Sequence, residues 1–183
     1  RAIAMRRRGV RVIAPDWQRT PVQMLGDGML AFTLLCWLYL AIAYPSNLPT
    51  PFVPSWASEP LIGSLTTKIV GALLMTVGVV IYKLGVVEMG SAWRMGIDRD
   101  NPGPLATGGI FAWSRNPVYV GIELLFIGTS LIEGRLVFFA LTVVFVLLIH
   151  SVIRREERFL SQQHDDAFRE YCKRVGRYLT VSG

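Results

Sequence analysis

VYVGIELLFIGTSLIEGRLVFFALTVVFVLLI, residues 118–149, holds two apolar runs, Val118–Ile132 and Leu136–Ile149, separated only by Glu133-Gly134-Arg135. A helix crosses a hydrocarbon core of ~30 Å with ~20 apolar residues at 1.5 Å per residue. Both runs are somewhat short of that length, which calls for tilt or for polar ends that face protein. A three-residue break between them makes a tight helical hairpin. It returns the chain to the side it came from, so Arg115–Tyr119 and Arg154–Arg158 should face each other at one membrane depth.

Two further apolar runs lie upstream. Met29–Tyr44 is almost unbroken, and Ile69–Val87 is interrupted only by Lys83. The whole chain is 52% hydrophobic and 17% charged with a mean hydropathy of +0.42, whereas charged residues run near a quarter in soluble domains. Four such runs in 183 residues argue against a soluble helical core. The expected fold class is all-α: a polytopic integral membrane protein with about four transmembrane helices.

The net charge of +6 and the pI of 9.7 raise nucleic acid as a partner, and the placement of the charges argues against it. Arg1, Arg6, Arg7, Arg8, Arg11 and Arg19 precede the first run. Arg94, Arg99 and Arg115 lie between the second and third, and Arg154, Arg155, Arg158, Arg169, Lys173, Arg174 and Arg177 follow the fourth. Only Lys68 and Arg135 fall in the opposite loops. This is the positive-inside distribution of an even-span protein, and it puts both termini in the cytoplasm. The basic N-terminal segment is expected to touch anionic lipid as well. The first run is too long and too far from Arg1 for a signal peptide, and further residues are expected to precede Arg1. Cys36 and Cys172 lie too far apart in the scheme for a disulfide. With only His150 and His164 beside them, no metal site is expected.

The layout is one membrane domain: a basic cytoplasmic segment over 1–27, two spans over 28–89, a cytoplasmic glycine and aromatic loop over 90–116, the hairpin over 117–153 and a tail helix over 154–183. Pro45, Pro49, Pro51, Pro54 and Pro60 make the outer loop extended, with Trp56 at the interface. The inner loop concentrates Gly96, Gly103, Gly108 and Gly109 with Trp93, Phe111 and Trp113, more than a plain linker carries. Beyond the fourth run, Phe159, Leu160, Phe168, Tyr171, Cys172 and Val175 recur at roughly helical spacing, so the tail reads as an amphipathic helix packed under the membrane domain.

Within that frame Asn116-Pro117 reads as a helix start, Asn as N-cap and Pro as first helical residue. Asn116, Tyr119 and Glu123 then share one face. Glu123 lies about two turns into the membrane, where a carboxylate faces a partner or a wet cavity; it pairs with Lys83 or lines a site. Glu156 and Glu157 point ~100° apart on a helix of 3.6 residues per turn, so they cannot serve one group symmetrically. His150, Arg154 and Glu157 share a face, and with Arg115 they can form an ionic cluster around a polar ligand.

The stretch Ala106-Thr107-Gly108-Gly109-Ile110-Phe111-Ala112-Trp113-Ser114-Arg115-Asn116-Pro117-Val118-Tyr119-Val120-Gly121 resembles the Gly-aromatic-Arg-His/Asn-Pro-x-Tyr segment of the isoprenylcysteine carboxyl methyltransferase and phospholipid methyltransferase superfamily. Glu156-Glu157-Arg158-x-Leu160, followed by Phe168-x-x-Tyr171-x-x-x-Val175-x-Arg177-Tyr178, resembles its tail. Gly90–Ile97 resembles the element before the glycine loop in bacterial members. The resemblance covers roughly Gly90 to Leu179. It implies an integral membrane methyltransferase, in a bacterial inner membrane, that uses S-adenosylmethionine in a cytoplasmic-side pocket and acts on a lipophilic or lipid acceptor. Carried over by position, Leu105, Gly109, Asn116, Tyr119 and Glu156 would contact the cofactor, and Arg115 and Glu157 would bear on catalysis. Asn116 stands where the prenylcysteine enzymes have His, which puts a prenylcysteine substrate in doubt.

The residues suit that chemistry. Methyl transfer from a sulfonium carbon needs alignment at ~3–3.5 Å and exclusion of water more than a strong acid or base. A carboxylate suits the cofactor's positive charges and an Arg its carboxylate. No strand-coupled Gly-x-Gly-x-x-Gly is present, so a soluble nucleotide-binding fold is not in play. Two alternatives are an NADPH-dependent membrane reductase of the sterol-reductase type, faintly suggested by Glu123 after Gly121-Ile122, and a non-catalytic membrane subunit with the same fold.

Overall fold

A computed structural model of the chain describes residues 20–89 and 104–179. The basic segment before Thr20, the Gly90–Ile97 element with Arg94, the loop residues Arg99, Pro102 and Gly103, and the last four residues lie outside the described part. The described chain is helical: α1 Pro21–Ala43, the single turn α2 Ser55–Ser58, α3 Leu65–Met89, a 3₁₀ turn Gly109–Ala112, α4 Pro117–Glu133 and α5 Leu136–Arg174. Helices α1, α3 and α5 are long and apolar enough to cross a membrane. The 17 residues of α4 rise about 25 Å. The fold is the all-α polytopic membrane architecture expected from the four apolar runs.

Helix α1 begins at Pro21 rather than at 28 because Thr20-Pro21-Val22-Gln23 forms a capping box. The Thr20 hydroxyl accepts from the Gln23 N–H at 3.3 Å, and the Gln23 side chain accepts from the Thr20 N–H at 3.0 Å. The outer loop also departs from a fully extended course, since Pro54 leads directly into α2.

A stripe of small residues sets how α3 and α4 pack. Gly71, Gly78 and Gly85 recur every seven residues on α3 and are all buried. They meet Gly128, Gly121 and the Pro117–Val118 start of α4 in turn. A methyl group at Gly78 would lie 2.7 Å from the Gly121 carbonyl oxygen, a distance no real packing holds. Lipid offers no hydrophobic drive for helices to associate, so close backbone approach through small residues supplies the contact instead.

The opposite face of α4 builds the core with α1 and α5. Phe126 stacks between Trp37 and Phe145 at centroid separations of 4.5 and 3.9 Å, over Ile149 and Ile153. The outer faces of α1 and α3 leave large apolar residues exposed, Phe32 at 68% and Leu73 at 61%, as lipid-facing helices do.

The α4–α5 hairpin closes at Gly134, whose φ of +66° is the left-handed helix-ending conformation that Gly adopts without strain. Its N–H donates to Ser130 O at 2.8 Å, and its carbonyl accepts from the N–H groups of Leu61 and Ile62 at 2.7 and 3.3 Å. Arg135 anchors the same end, donating to Ser58 O with its guanidinium 4.3 Å from the Tyr44 ring centroid.

Helix α5, at 39 residues, is broken at Asp165, and the part before that kink alone rises roughly 43 Å, more than a hydrocarbon core. Its second half, interrupted at Asp165 (φ 30°), packs Phe168 and Tyr171 with Val175 against Leu105, Leu160 and Cys172. The expected tail helix over 154–183 therefore stops at Arg174. Val175 takes extended dihedrals, and the chain turns back over the start of α4.

Candidate functional site

The site forms where that returning segment crosses the open end of the hairpin. Pro117 occupies the first helical position of α4, as expected, yet the N-cap Asn116 makes no side-chain cap. Its backbone N–H donates to the Ser114 hydroxyl at 3.1 Å, and its amide points inward instead of capping. Asn116 Nδ2 donates to Glu157 Oε1 at 3.0 Å and to the Arg177 carbonyl at 3.1 Å. The Arg115 N–H donates to Gly176 O at 3.0 Å, and the Ser114 hydroxyl donates to Arg177 O at 3.4 Å. Residues 114–116 and 176–177 are thus laced together.

Glu157 is the hub. It is buried, with 8% exposure, and both oxygens are engaged. Oε1 faces Asn116 and Arg115 Nη2, the latter at 3.4 Å, while Oε2 accepts from Arg177 Nε and Nη2 at 2.9 and 2.8 Å. Arg115 Nη1 also donates to Cys172 Sγ, and its Nε is enclosed without a partner among the described residues. The hydrogen bond to Glu157 holds the Arg177 guanidinium pKa above its ordinary value. Glu156, one position back and ~100° round the helix, turns away from that hub and accepts from the Tyr119 hydroxyl at 2.8 Å.

The structure therefore brings Arg115, Asn116, Tyr119, Glu156 and Glu157 to one end of the bundle. Leu105 and Gly109 lie outside that network. Leu105 lies on the Phe168–Tyr171–Val175 cluster beside Cys172. Gly109, at φ +56°, lies against Glu88, whose carboxylate accepts from the Ile110 N–H. A methyl group on Gly109 would fall inside that carboxylate, so the glycine is required by Glu88 as well as by its backbone. Tyr171 pins the same loop through a 2.6 Å hydrogen bond to Phe111 O.

Other groupings differ from the sequence reading. Arg154 is exposed, and among the described residues its carbonyl accepts from Arg158 while its guanidinium joins no ion pair; a long Arg at a membrane edge extends its head to water. Arg177 supplies the second guanidinium in its place. His150 leaves the Glu157 cluster and bonds Tyr178 at 2.6 Å. No ion pair joins Lys83 to Glu123 among the described residues. Lys83 is exposed, and Glu123 Oε1 is enclosed without a hydrogen-bond partner. Burial pushes the Tyr178 phenol above its ordinary pKa, and the charge of Glu123 adds to this.

The residues that sequence reasoning left off the site are Arg177, Tyr178, Ser114, Glu88 and the Asp27–Arg155 pair. Arg177 and Tyr178 stand in the tail motif, which was the available signal. Asp27 and Arg155 meet at 2.5 Å and border a cleft of about 240 Å³ between α1 and α5, with Val22, Gly26, Leu148 and Arg158 on its walls. Only their shared position at the basic end of two apolar runs hinted at that contact.

None of the curated proteins compared with this sequence matches it. A family model described as phospholipid methyltransferase matches residues 66–167. That range holds α3, the loop, α4 and most of α5 with the paired glutamates, and stops short of Arg177 and Tyr178.

Proposed function

Because the chain belongs to the phospholipid methyltransferase family, whose members are membrane methyltransferases, we propose that it transfers a methyl group from S-adenosylmethionine to a small lipophilic or membrane-associated acceptor at the cytoplasmic face. The single observation that carries this reading is the buried Arg115–Asn116–Glu157 network with the adjacent Tyr119–Glu156 pair, assembled inside the family-matched span. We read α4 as a fourth, tilted span and both termini as cytoplasmic, from the distribution of Arg and Lys.

The donor set fits such a cofactor. Arg115 keeps a buried Nε without a partner, a donor suited to a carboxylate. Glu156 gives one oxygen to Tyr119 and keeps the other for a cationic or hydroxyl group. Leu105, beside Cys172, offers an apolar edge, and Gly109 a backbone edge on the loop above. Glu157 has no capacity to spare: it fixes the Arg115 guanidinium and the Asn116 amide, so it acts on the reaction by positioning them. When bound, S-adenosylmethionine supplies an electrophilic methyl carbon on a sulfonium; the protein's part is orientation and exclusion of water.

Ligand-induced thermal stabilisation tests the reading. A ligand at 100 times its Kd adds about 2.7 kcal/mol, so S-adenosylhomocysteine should raise Tm and NADPH should not. Methyl-labelled cofactor incubated with a lipid extract then identifies the acceptor by mass spectrometry. Stabilisation by NADPH in place of S-adenosylhomocysteine would turn the assignment to a reductase. Cofactor binding without transfer to any lipid would leave a non-catalytic subunit.

A further inference from the structure

One polar group in the bundle takes no part in the network above. Gly121 and Gly128 turn toward α3. Glu123 stands on another side of α4, one turn beyond Tyr119 and one turn before Phe126, both of which belong to the core between α1 and α5. Side chains on a helix lean toward its N-terminus, so this carboxylate leans toward the Tyr119–Glu156 pair. Oε1 is shut away from solvent with no donor to accept from among the described residues. An orphaned carboxylate oxygen in an apolar bundle is costly, and such a group calls for a reason, of which a functional role is one.

A second, independent feature points the same way. The C-terminal segment carries Tyr178 back into the bundle, where it packs on the Phe126–Ile149–Ile153 core and bonds His150 at 2.6 Å. Tyr178 thereby shares that core with Tyr119 and Ile122, the α4 residues beside Glu123. A carboxylate on α4 and a phenol–imidazole pair from the tail and α5 thus flank one core. None of them is needed for the Glu157 network.

We infer that Glu123, with the Tyr178–His150 pair, forms the subsite for the reacting end of the methyl acceptor, and that this end is a proton-bearing nucleophile, an amine, alcohol or thiol, rather than a carboxylate. The inference rests on the methyl-transfer reading for its role and on geometry for its chemistry. A free carboxylate oxygen accepts from an N–H, O–H or S–H donor and repels an anion. In the reaction the nucleophile's lone pair forms the bond to the methyl carbon as the carbon–sulfur bond breaks. Sulfur leaves as a neutral thioether, and the proton of the nucleophile passes to the Glu123 carboxylate, which balances the charge.

Three probes with the same tail separate the outcomes: octadecylamine, octadecanol and octadecanoic acid, added in detergent micelles to the full chain without cofactor, with Tm as the readout. The amine or the alcohol should raise Tm by several degrees in wild type and not in Glu123→Gln. The acid should give no rise. An equal rise with octadecanoic acid, a rise that persists undiminished in Glu123→Gln, or no rise with any probe overturns the proposal. Glu123→Gln should itself be at least as stable as wild type, since the free Oε1 loses no partner. If that variant does not fold, the wild-type preference among the three probes decides alone. S-adenosylhomocysteine, run in parallel, keeps the two readings apart: it should stabilise both proteins, and its failure in wild type would remove the methyl-transfer role while leaving the amine or alcohol site standing.

Discussion

Replacing Glu157 by Gln keeps the shape of the hub and removes its charge, and the surrounding geometry sets the cost. Every neighbour of this carboxylate is a donor: Asn116 Nδ2 and Arg115 Nη2 on one oxygen, Arg177 Nε and Nη2 on the other. The Gln amide must turn its own donor NH₂ toward one side. Turning it toward Arg177 is cheaper, because that side chain is 36% exposed and can rotate to water, whereas Arg115 is 13% exposed and cannot. The released Arg177 pair, discounted for its exposure, is worth about 1 kcal/mol or less. The weakened hydrogen bonds to a formerly charged acceptor add about 1.5–2 kcal/mol more. A total of about 2–3 kcal/mol corresponds to a fall in Tm of roughly 5–10 °C for a chain of this size. Arg177→Gln should cost less, roughly 1 kcal/mol. If Glu157 positions Arg115 for the reaction, Glu157→Gln and Arg115→Lys should also each lower turnover by about two orders of magnitude per folded molecule. Thermal unfolding and turnover are measured on the same detergent-solubilised protein. Unchanged Tm in Glu157→Gln, or an equal loss in Arg177→Gln, would refute the donor-crowding argument. Wild-type turnover would remove Glu157 and Arg115 from the reaction.

Three other expectations are open to direct measurement. Gly78→Ala should destabilise by about 1–3 kcal/mol, because its methyl would sit 2.7 Å from Gly121 O, whereas Gly28→Ala, with nothing within 4 Å, should be neutral or up to ~1 kcal/mol stabilising; similar Tm changes in the two would discount the glycine stripe. Glu156→Gln should weaken S-adenosylhomocysteine about tenfold by calorimetry, since one oxygen would become a donor beside the Tyr119 hydroxyl; equal affinity would return Glu156 to a structural role. In intact cells an impermeant thiol reagent should reach a cysteine at Glu59 and miss one at Arg169, and labelling of the second position from outside would invert the topology.

The fold was largely legible because membrane-spanning helices announce themselves through composition alone. The hairpin at Glu133-Gly134-Arg135 then fixed which ends meet, so the facing of Arg115–Tyr119 with Glu156 and Glu157 needed no tertiary information. What escaped depends on contacts between distant residues. The glycine stripe is visible as Gly71, Gly78 and Gly85, but its meaning appears only when Gly121 and Gly128 run antiparallel to it. Asp27 and Arg155 are 128 residues apart, and nothing local marks them as partners. The Thr20–Gln23 capping box could have been read and would have moved the start of α1. The turn at Val175 could not: Tyr171, Cys172 and Val175 keep helical spacing to the last residue, and only the lacing of Gly176 and Arg177 to Arg115 and Asn116 shows why the helix stops.

That lacing also gives the asparagine at position 116 a physical reason. An N-cap side chain ordinarily accepts the N–H of the second or third helical residue; here that cap is not made, and the amide of Asn116 gives both its hydrogens away, one to an anion and one to a backbone carbonyl. A side chain with two donors and no titration in the working range does this at any pH. A histidine has its two nitrogens on opposite sides of a ring and donates from both only when protonated. With Asn the charge of the network is fixed by Arg115, Arg177 and Glu157 alone, and its geometry does not follow the proton. The same amide ties the family-matched helices to Arg177, which lies beyond the matched span. The C-terminal segment is therefore a structural member of the site: it closes the network on one side through Arg177 and, one residue later, places Tyr178 on the other.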